Sequence, residues 1–249
     1  MPASQNAPPR LLVGRSPASL ASRYPRLVAR FWSLLGLVWD DDHRLGSTTE
    51  RIGLMATWLD RFAPTSGRVL EVGCGTGSCA LALGAPHRRV VATDVATGMV
   101  RRAWARARAS GAPVSVVQAD ANAPLPFHDD AFDAVVCMAV LDCVDSPPRF
   151  LADVRRALRP HGLLLLTIAG MGRTARHRPT LSGWLLFALR VLPGSKHRIS
   201  TCTWEELLAL LEGSGYAVLD ERDTHSSVWR DSRQVALVAK AGDDPPGAP

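Results

Sequence analysis

A strand that runs straight into three alternating glycines constrains this chain more than any other feature. Arg68-Val-Leu-Glu-Val-Gly-Cys-Gly-Thr-Gly77 opens as a buried β pattern over residues 69–72 and then places Gly73, Gly75 and Gly77 at alternate positions. Ser78-Cys-Ala-Leu-Ala-Leu83 follows, small and apolar, as suits a helix packed on a sheet. Glycine is required where a backbone turns at positive φ or approaches a ligand closely, because a Cβ would collide. A helix N-terminus just beyond such a turn offers free N–H groups and the positive end of its dipole to an anion. The stretch reads as a nucleotide-type cofactor loop, with a plain tight strand-to-helix turn as its alternative. A dinucleotide loop spaces its glycines Gly-x-Gly-x-x-Gly. Ser78 stands where that third glycine would fall, so the spacing points away from a dinucleotide.

The 249 residues suit one α/β domain, expected over 15–241, with disordered tails at 1–14 and 242–249. An apolar content of 47% and a charged content of 21% are those of a globular protein. The five cysteines (Cys74, Cys79, Cys137, Cys143, Cys202) show no paired spacing and have apolar neighbours. They are expected to be reduced core thiols of a cytoplasmic protein. Residues 1–10 lack the apolar stretch of a signal peptide. Residues 27–39 are too short for a membrane span and contain Arg30.

The net charge of +6 is localised. Arg173, Arg176, Arg178, Arg190, Lys196 and Arg198 fall within residues 170–200, which contain no acid, so the remainder is formally neutral. A global electrostatic case for nucleic-acid binding fails on that distribution, and no nucleic-acid partner is expected.

Beyond the loop, strands and helices alternate. Strands are predicted at residues 89–94, 114–118, 132–138, 162–168, 216–219 and 234–240, making seven with the first. Helices are predicted at 96–109, with Met99, Ala103 and Ala107 inward, at 147–158 behind Ser146 as N-cap, and at 204–212 behind a Thr203/Glu206 capping box. The pattern implies an α/β fold with a doubly wound, mostly parallel sheet. Residues 17–62 read as N-terminal helices anchored by Trp32, Leu35, Trp58 and Phe62.

Several elements together resemble class I S-adenosylmethionine-dependent methyltransferases. Glu71-x-Gly-x-Gly-x-Gly77 resembles that family's first motif. Asp94 resembles the acid ending strand two, and Asp120, in Gln-Ala-Asp-Ala, the acid after strand three. Leu125-Pro-Phe-His-Asp-Asp-Ala-Phe-Asp133 resembles the stretch leading into strand four. Leu158-Arg-Pro-His-Gly162 resembles the turn before strand five, with His161 replacing a glycine. The resemblance covers most of residues 65–240 and implies a Rossmann-like methyltransferase fold, its last strand antiparallel, binding S-adenosylmethionine. It is closest in kind to small-molecule enzymes, similar to the ubiquinone/menaquinone C-methyltransferase-like group. By that resemblance Gly73, Cys74, Gly75 and Gly77 cradle the methionine and ribose portions. Asp94 accepts from the ribose hydroxyls. Asp120 and the Ala121 N–H meet the adenine edge, with a turn cap as the alternative for Asp120. Val95 and Met99 sandwich the ring, Met99 equally readable as core, and Glu71 and Met138 border the aminoacid end.

The acceptor side is less legible. No Asn/Asp-Pro-Pro-Tyr motif follows strand four, and Thr167-Ile-Ala169 replaces the Asp-Asn pair that would resemble a magnesium site, so no metal is expected. Asp142 and His43 are the candidates for acceptor contact or general base, each with a surface role as the alternative. Residues 170–200 read as a helical cap insertion, an apolar helix candidate between basic flanks. It could be a plain lid, line a pocket for an apolar or anionic small-molecule acceptor, or touch a membrane surface peripherally. Methylation of RNA or protein, and a non-catalytic S-adenosylmethionine-binding subunit, are the competing functions.

Overall fold

In the computed structural model the described residues are Ser33 and residues 47–63, 67–171, 178–179, 204–224, 229–230 and 233–242. Seven strands form one sheet: β1 (Gly67–Val72), β2 (Arg88–Asp94), β3 (Val114–Gln118), β4 (Phe132–Met138), β5 (Leu158–Met171), β6 (Tyr216–Thr224) and β7 (Arg233–Ala241). Their spatial order is β3-β2-β1-β4-β5-β7-β6. The first five run parallel, and β7 lies antiparallel between β5 and β6. The expected α/β doubly wound sheet with an antiparallel last strand is what forms. Helices α1 (Ser47–Phe62), α2 (Ser78–Leu83), α3 (Thr97–Ser110), α4 (Pro147–Ala157) and α5 (Trp204–Gly213) cover its two faces.

The two-residue alternation of a strand divides the core between those faces. Val69, Val90, Ala134, Val136, Leu163 and Leu165 pack with Met55, Trp58 and Leu59 of α1, Ala80 and Leu83 of α2, and Ala103 of α3. Leu70, Val91, Val135, Leu164, Leu166 and Ile168 pack with Leu151 and Val154 of α4 and with Leu207 and Leu211 of α5. A strand covered on both sides needs apolar residues at every position. Leu163 to Leu166 meet that condition, all at most 3% exposed, each contributing roughly 1.5–3 kcal/mol of burial. In α3, Met99, Ala103 and Ala107 are the buried positions, as the periodicity predicts.

Some boundaries differ, for tertiary reasons. β6 continues through Asp220-Glu-Arg-Asp-Thr224, a polar stretch with no strand pattern, because pairing with β7 carries it from Asp220↔Val238 to Thr224↔Gln234. It is an edge strand, and such charges discourage further pairing. α4 ends at Ala157, and Ser146 caps it without a side-chain hydrogen bond. Thr203 lies outside the described residues. Cys74, Cys79 and Cys137 are buried free thiols, but Cys143 is exposed, which corrects its reading as a core thiol. Trp32, Leu35, residues 1–14 and most of 170–200 also lie outside the described residues. Among the described residues no helix is long and apolar enough to cross a membrane.

The two family-like stretches around β4 have clear supports. In Leu125-Pro-Phe127, the Leu125 N–H donates to Asp153 of α4 at 2.5 Å, and the Arg156 guanidinium reaches the Leu125 and Phe127 carbonyls and Asp129. The turn at residues 158–162 shifts the β4–β5 register between Phe132 and Ala134. His161, where the family pattern has glycine, takes φ 63°. A left-handed conformation costs a side-chain-bearing residue roughly 1–2 kcal/mol, while glycine adds unfolded-state entropy of about 0.4–1 kcal/mol. His161→Gly is therefore expected to stabilise the protein by about 0.5–1 kcal/mol, raising Tm by roughly 1–4 °C in calorimetry. A fall in Tm would mean that contacts of the imidazole outweigh the backbone strain.

Candidate functional site

The strand order turns back on itself between β1 and β4, with β2 and β3 on one side and β5 on the other. A crevice opens beyond the carboxyl ends of the strands at such a point. Four chain segments leave those ends: the loop 73–77 after β1, Asp94 and Val95 after β2, Asp120 and Ala121 after β3, and Met138 with the turn that follows β4. Residues far apart in sequence are brought together there because parallel strands all finish on one edge.

The loop is strained in the way its glycines allow. Gly73, Gly75 and Gly77 have φ of 70°, 54° and 84°. A Cβ at Gly73 would lie 2.4 Å from Val140 Cγ2, so Val140 closes over bare backbone. The Cys74 N–H donates to the Thr93 carbonyl at 2.8 Å, and the Gly77 N–H to the Cys74 carbonyl at 2.9 Å. Asp94 binds the loop directly: the Gly75 N–H donates to Oδ2 at 2.9 Å and the Ala96 N–H to Oδ1 at 2.8 Å. Burial pushes this carboxyl's pKa upward, against the N–H groups of Ala96, Gly75 and Val95, which favour the charged form. Each oxygen keeps a further lone pair, so Asp94 can hold the loop and still accept from a diol.

Glu71, the last acid before the glycines, is 2% exposed. Burial raises its pKa to about 8, partly offset by the Ala80 N–H and the Cys79 thiol, with Asp94 pushing further upward. Its Oε2 has no hydrogen-bond partner among the described residues. An orphaned, buried carboxyl oxygen invites a donor or a cation. Cys74, Cys79 and Cys137 have pKa values raised by burial and by the nearby Glu71, so they stand as neutral thiols.

The residues expected to meet the adenine are arranged more loosely. Asp120 Oδ1 accepts the Asn122 N–H at 2.9 Å, so part of it serves the turn-capping alternative. The Gln118 amide donates to the Val95 carbonyl at 2.9 Å and to Thr97 Oγ1 at 3.1 Å, shaping the turn after β2. Met99 is 2% exposed and packs as core, while Val95 and Ala121 are half-buried. Ser33 Oγ accepts the Gly98 N–H at 3.2 Å, which brings one residue of the N-terminal segment to the start of α3.

Where acceptor contact is expected, β4 runs into Ala139 at φ 56° and then a 3-10 turn, Leu141–Cys143, with Asp142 at its middle. The Ala139 N–H donates to the carbonyl and to Oγ1 of Thr167, both at 3.0 Å. His43 lies outside the described residues. Among the described residues no three His, Cys, Asp or Glu side chains converge as metal ligands.

Sequence reasoning missed Val140, Thr167, Gln118 and Arg106, whose bonds to the loop are taken up below. Thr167 alone left a signal, as a polar residue in an apolar run; the other three act through long-range contacts.

The geometry fits S-adenosylmethionine on two counts: three glycines at positive φ beyond the strand ends where the order reverses, and an unsatisfied buried carboxyl oxygen behind them suited to a cationic group. Comparison with known proteins agrees. A family described as "Methyltransferase domain" matches residues 70–166. The chain is 31% identical over 147 residues to the ubiquinone biosynthesis O-methyltransferase of Paracidovorax citrulli (strain AAC00-1), covering 58% of this chain and 62% of that one. It is 39% identical over 147 residues to the demethylmenaquinone methyltransferase of Clavibacter sepedonicus, covering 58% and 59%. The matched part thus spans less than two thirds of either relative. Magnesium protoporphyrin IX methyltransferase from Synechocystis PCC 6803, solved with bound SAH, superposes with TM-score 0.65 at 18% identity, covering 88% of this chain and 99% of that one.

Proposed function

We propose that this chain is a class I S-adenosylmethionine-dependent methyltransferase that transfers a methyl group to a small-molecule acceptor, a reading supported by the methyltransferase-domain match over residues 70–166 and by the two bacterial relatives. The observation that carries the proposal is the loop 73–77, held open by Asp94 at the point where the strand order reverses. When bound, S-adenosylmethionine supplies a methyl group already activated on a sulfonium centre. What the chain must add is alignment, exclusion of water and, for an acceptor of high pKa, a base.

Each role has a residue. Gly73, Cys74, Gly75 and Gly77 present backbone to the methionine and ribose. Asp94 accepts from the ribose hydroxyls while holding Gly75 in place. Val95, Asp120 and Ala121 border the adenine. Glu71 and Met138 border the aminoacid end, where the unsatisfied Glu71 oxygen meets a cation. Asp142 stands at the acceptor side as contact or base. The names of the two bacterial relatives favour an acceptor of the quinone-precursor kind, an apolar ring carrying a nucleophilic oxygen or carbon. An apolar acceptor is also consistent with the apolar run 181–192 that the sequence sets between basic residues.

Calorimetric titration separates the readings. Heat with S-adenosylmethionine and label transfer to an aromatic acceptor support the proposal. Binding without transfer to any small molecule, RNA or protein supports a non-catalytic subunit. Heat with NAD and none with S-adenosylmethionine overturns it. Asp94→Ala is expected to weaken cofactor binding by roughly 1–3 kcal/mol, the cost of a lost charge-assisted partner. Unchanged affinity would mean that the site lies elsewhere.

A further inference from the structure

Arg106 lies on the flank of α3, one helical turn beyond Ala103. Its Nη1 is surrounded by three acceptors of the glycine loop: the Thr76 carbonyl at 3.1 Å, Thr76 Oγ1 at 3.0 Å and Ser78 Oγ at 3.0 Å. Ala103 touches the same loop, since a Cβ on Gly77 would come within 3.0 Å of its methyl and 3.2 Å of its Cα. α3 therefore meets the loop twice on successive turns, first by close backbone packing and then by a guanidinium.

The opposite side of the loop is held from β2, through the Thr93 carbonyl on Cys74 and Asp94 on Gly75. The loop is gripped from both sides, with Thr76 only 1% exposed. Bonds to such a shielded backbone are worth more than at a wet surface. Helix electrostatics do not account for the arginine. A cation beside the start of α2 has the sign that a helix N-terminus disfavours. The bonds to Thr76 and Ser78 explain its place; the helix end does not.

We propose that Arg106 is a positioning residue for the cofactor, fixing the Thr76 carbonyl and hydroxyl so that residues 75–77 keep the shape that receives S-adenosylmethionine. This rests on the loop being the cofactor site, as proposed above. Three acceptors around one nitrogen match a compact ammonium with three donors, so a lysine one bond shorter should serve in part. A glutamine, neutral and shorter, should not.

The test titrates the full chain with S-adenosylmethionine by calorimetry, comparing wild type with Arg106→Gln, Arg106→Lys, Ser78→Ala, the Ser78→Ala/Arg106→Gln double variant and Asp94→Ala. Arg106→Gln is expected to raise Kd roughly 5- to 50-fold, and Arg106→Lys by no more than about threefold. Ser78→Ala should raise Kd about twofold alone and not further beside Arg106→Gln, since the two share a bond. Amide exchange in the free protein should speed up at residues 74–78 in Arg106→Gln. Should that variant fail to fold, Arg106→Met, which keeps the aliphatic stem and removes the donors, carries the same comparison, and wild-type exchange at 74–78 in it would overturn the proposal. Weakening in Asp94→Ala together with wild-type Kd in Arg106→Gln would overturn the role of Arg106 alone. Unchanged Kd in Asp94→Ala would overturn the site assignment beneath it.

Discussion

Gly73→Ala is expected to lose at least tenfold in S-adenosylmethionine affinity and to lower Tm by roughly 5–15 °C. Two costs act together. The backbone stands at φ 70°, where a Cβ costs roughly 1–2 kcal/mol. The new methyl would also sit 2.4 Å from Val140 Cγ2, and overpacking of that kind typically costs about 1–3 kcal/mol. Relief by shifting Val140 moves the turn that leads to Asp142, so the acceptor side suffers with the cofactor side. A Gly73→Ala/Val140→Ala double variant should recover the steric part and leave the backbone part. Calorimetry and thermal unfolding on wild type, Gly73→Ala, Val140→Ala and the double variant read both. If Gly73→Ala alone binds as wild type does, the loop is not the cradle.

Glu71→Gln should flatten the pH profile of stability between about pH 5 and 9. The Glu71 carboxyl has a folded pKa of about 8, raised chiefly by burial from an ordinary value of 4.5. The folded state therefore holds a proton that the unfolded state releases between those limits. The stabilising contribution is fully present below about pH 4.5 and is lost as pH rises towards 8, amounting to roughly 5 kcal/mol over the window. Glutamine keeps the shape and cannot ionise. At pH 9 the variant is expected to be several kcal/mol more stable than wild type, and at pH 5 about 1 kcal/mol less so, because its amide protons are left without acceptors. Denaturant unfolding at pH 5, 7 and 9 measures the difference. A constant gap across that range would show that Glu71 does not titrate. Cofactor affinity should move the other way: a cation beside Glu71 favours its ionised form, so wild-type binding tightens from pH 6 to 8 and the variant's does not.

Much of this was legible in the linear chain because the signals are local. The strand–loop–helix stretch at 68–83, the inward face of α3 at Met99, Ala103 and Ala107, and the apolar run that becomes β5 each depend on neighbours a few residues apart. His161 marked itself as a departure from a glycine pattern, and its positive φ is the physical content of that departure. The extension of β6 was not legible, because Asp220 to Thr224 are strand only through pairing with β7. Nor was the hold of Asp94 on the loop, which shows only once the Gly75 and Ala96 N–H groups are seen to be donating to it.

By itself, then, the sequence determined the element types, their order and the residues able to tolerate a bare-backbone cofactor loop, since these follow from steric limits on each φ and from periodic burial. Tertiary structure alone decided what surrounds that loop. Val140 above Gly73, Arg106 and Ala103 against Thr76 and Gly77, and Thr167 beneath Ala139 come from the turn after β4, from α3 and from β5. They meet only because parallel strands end on one edge of a sheet whose order reverses there. Close packing and water-shielded hydrogen bonds between such segments depend on distances in space, which no local pattern of residues encodes.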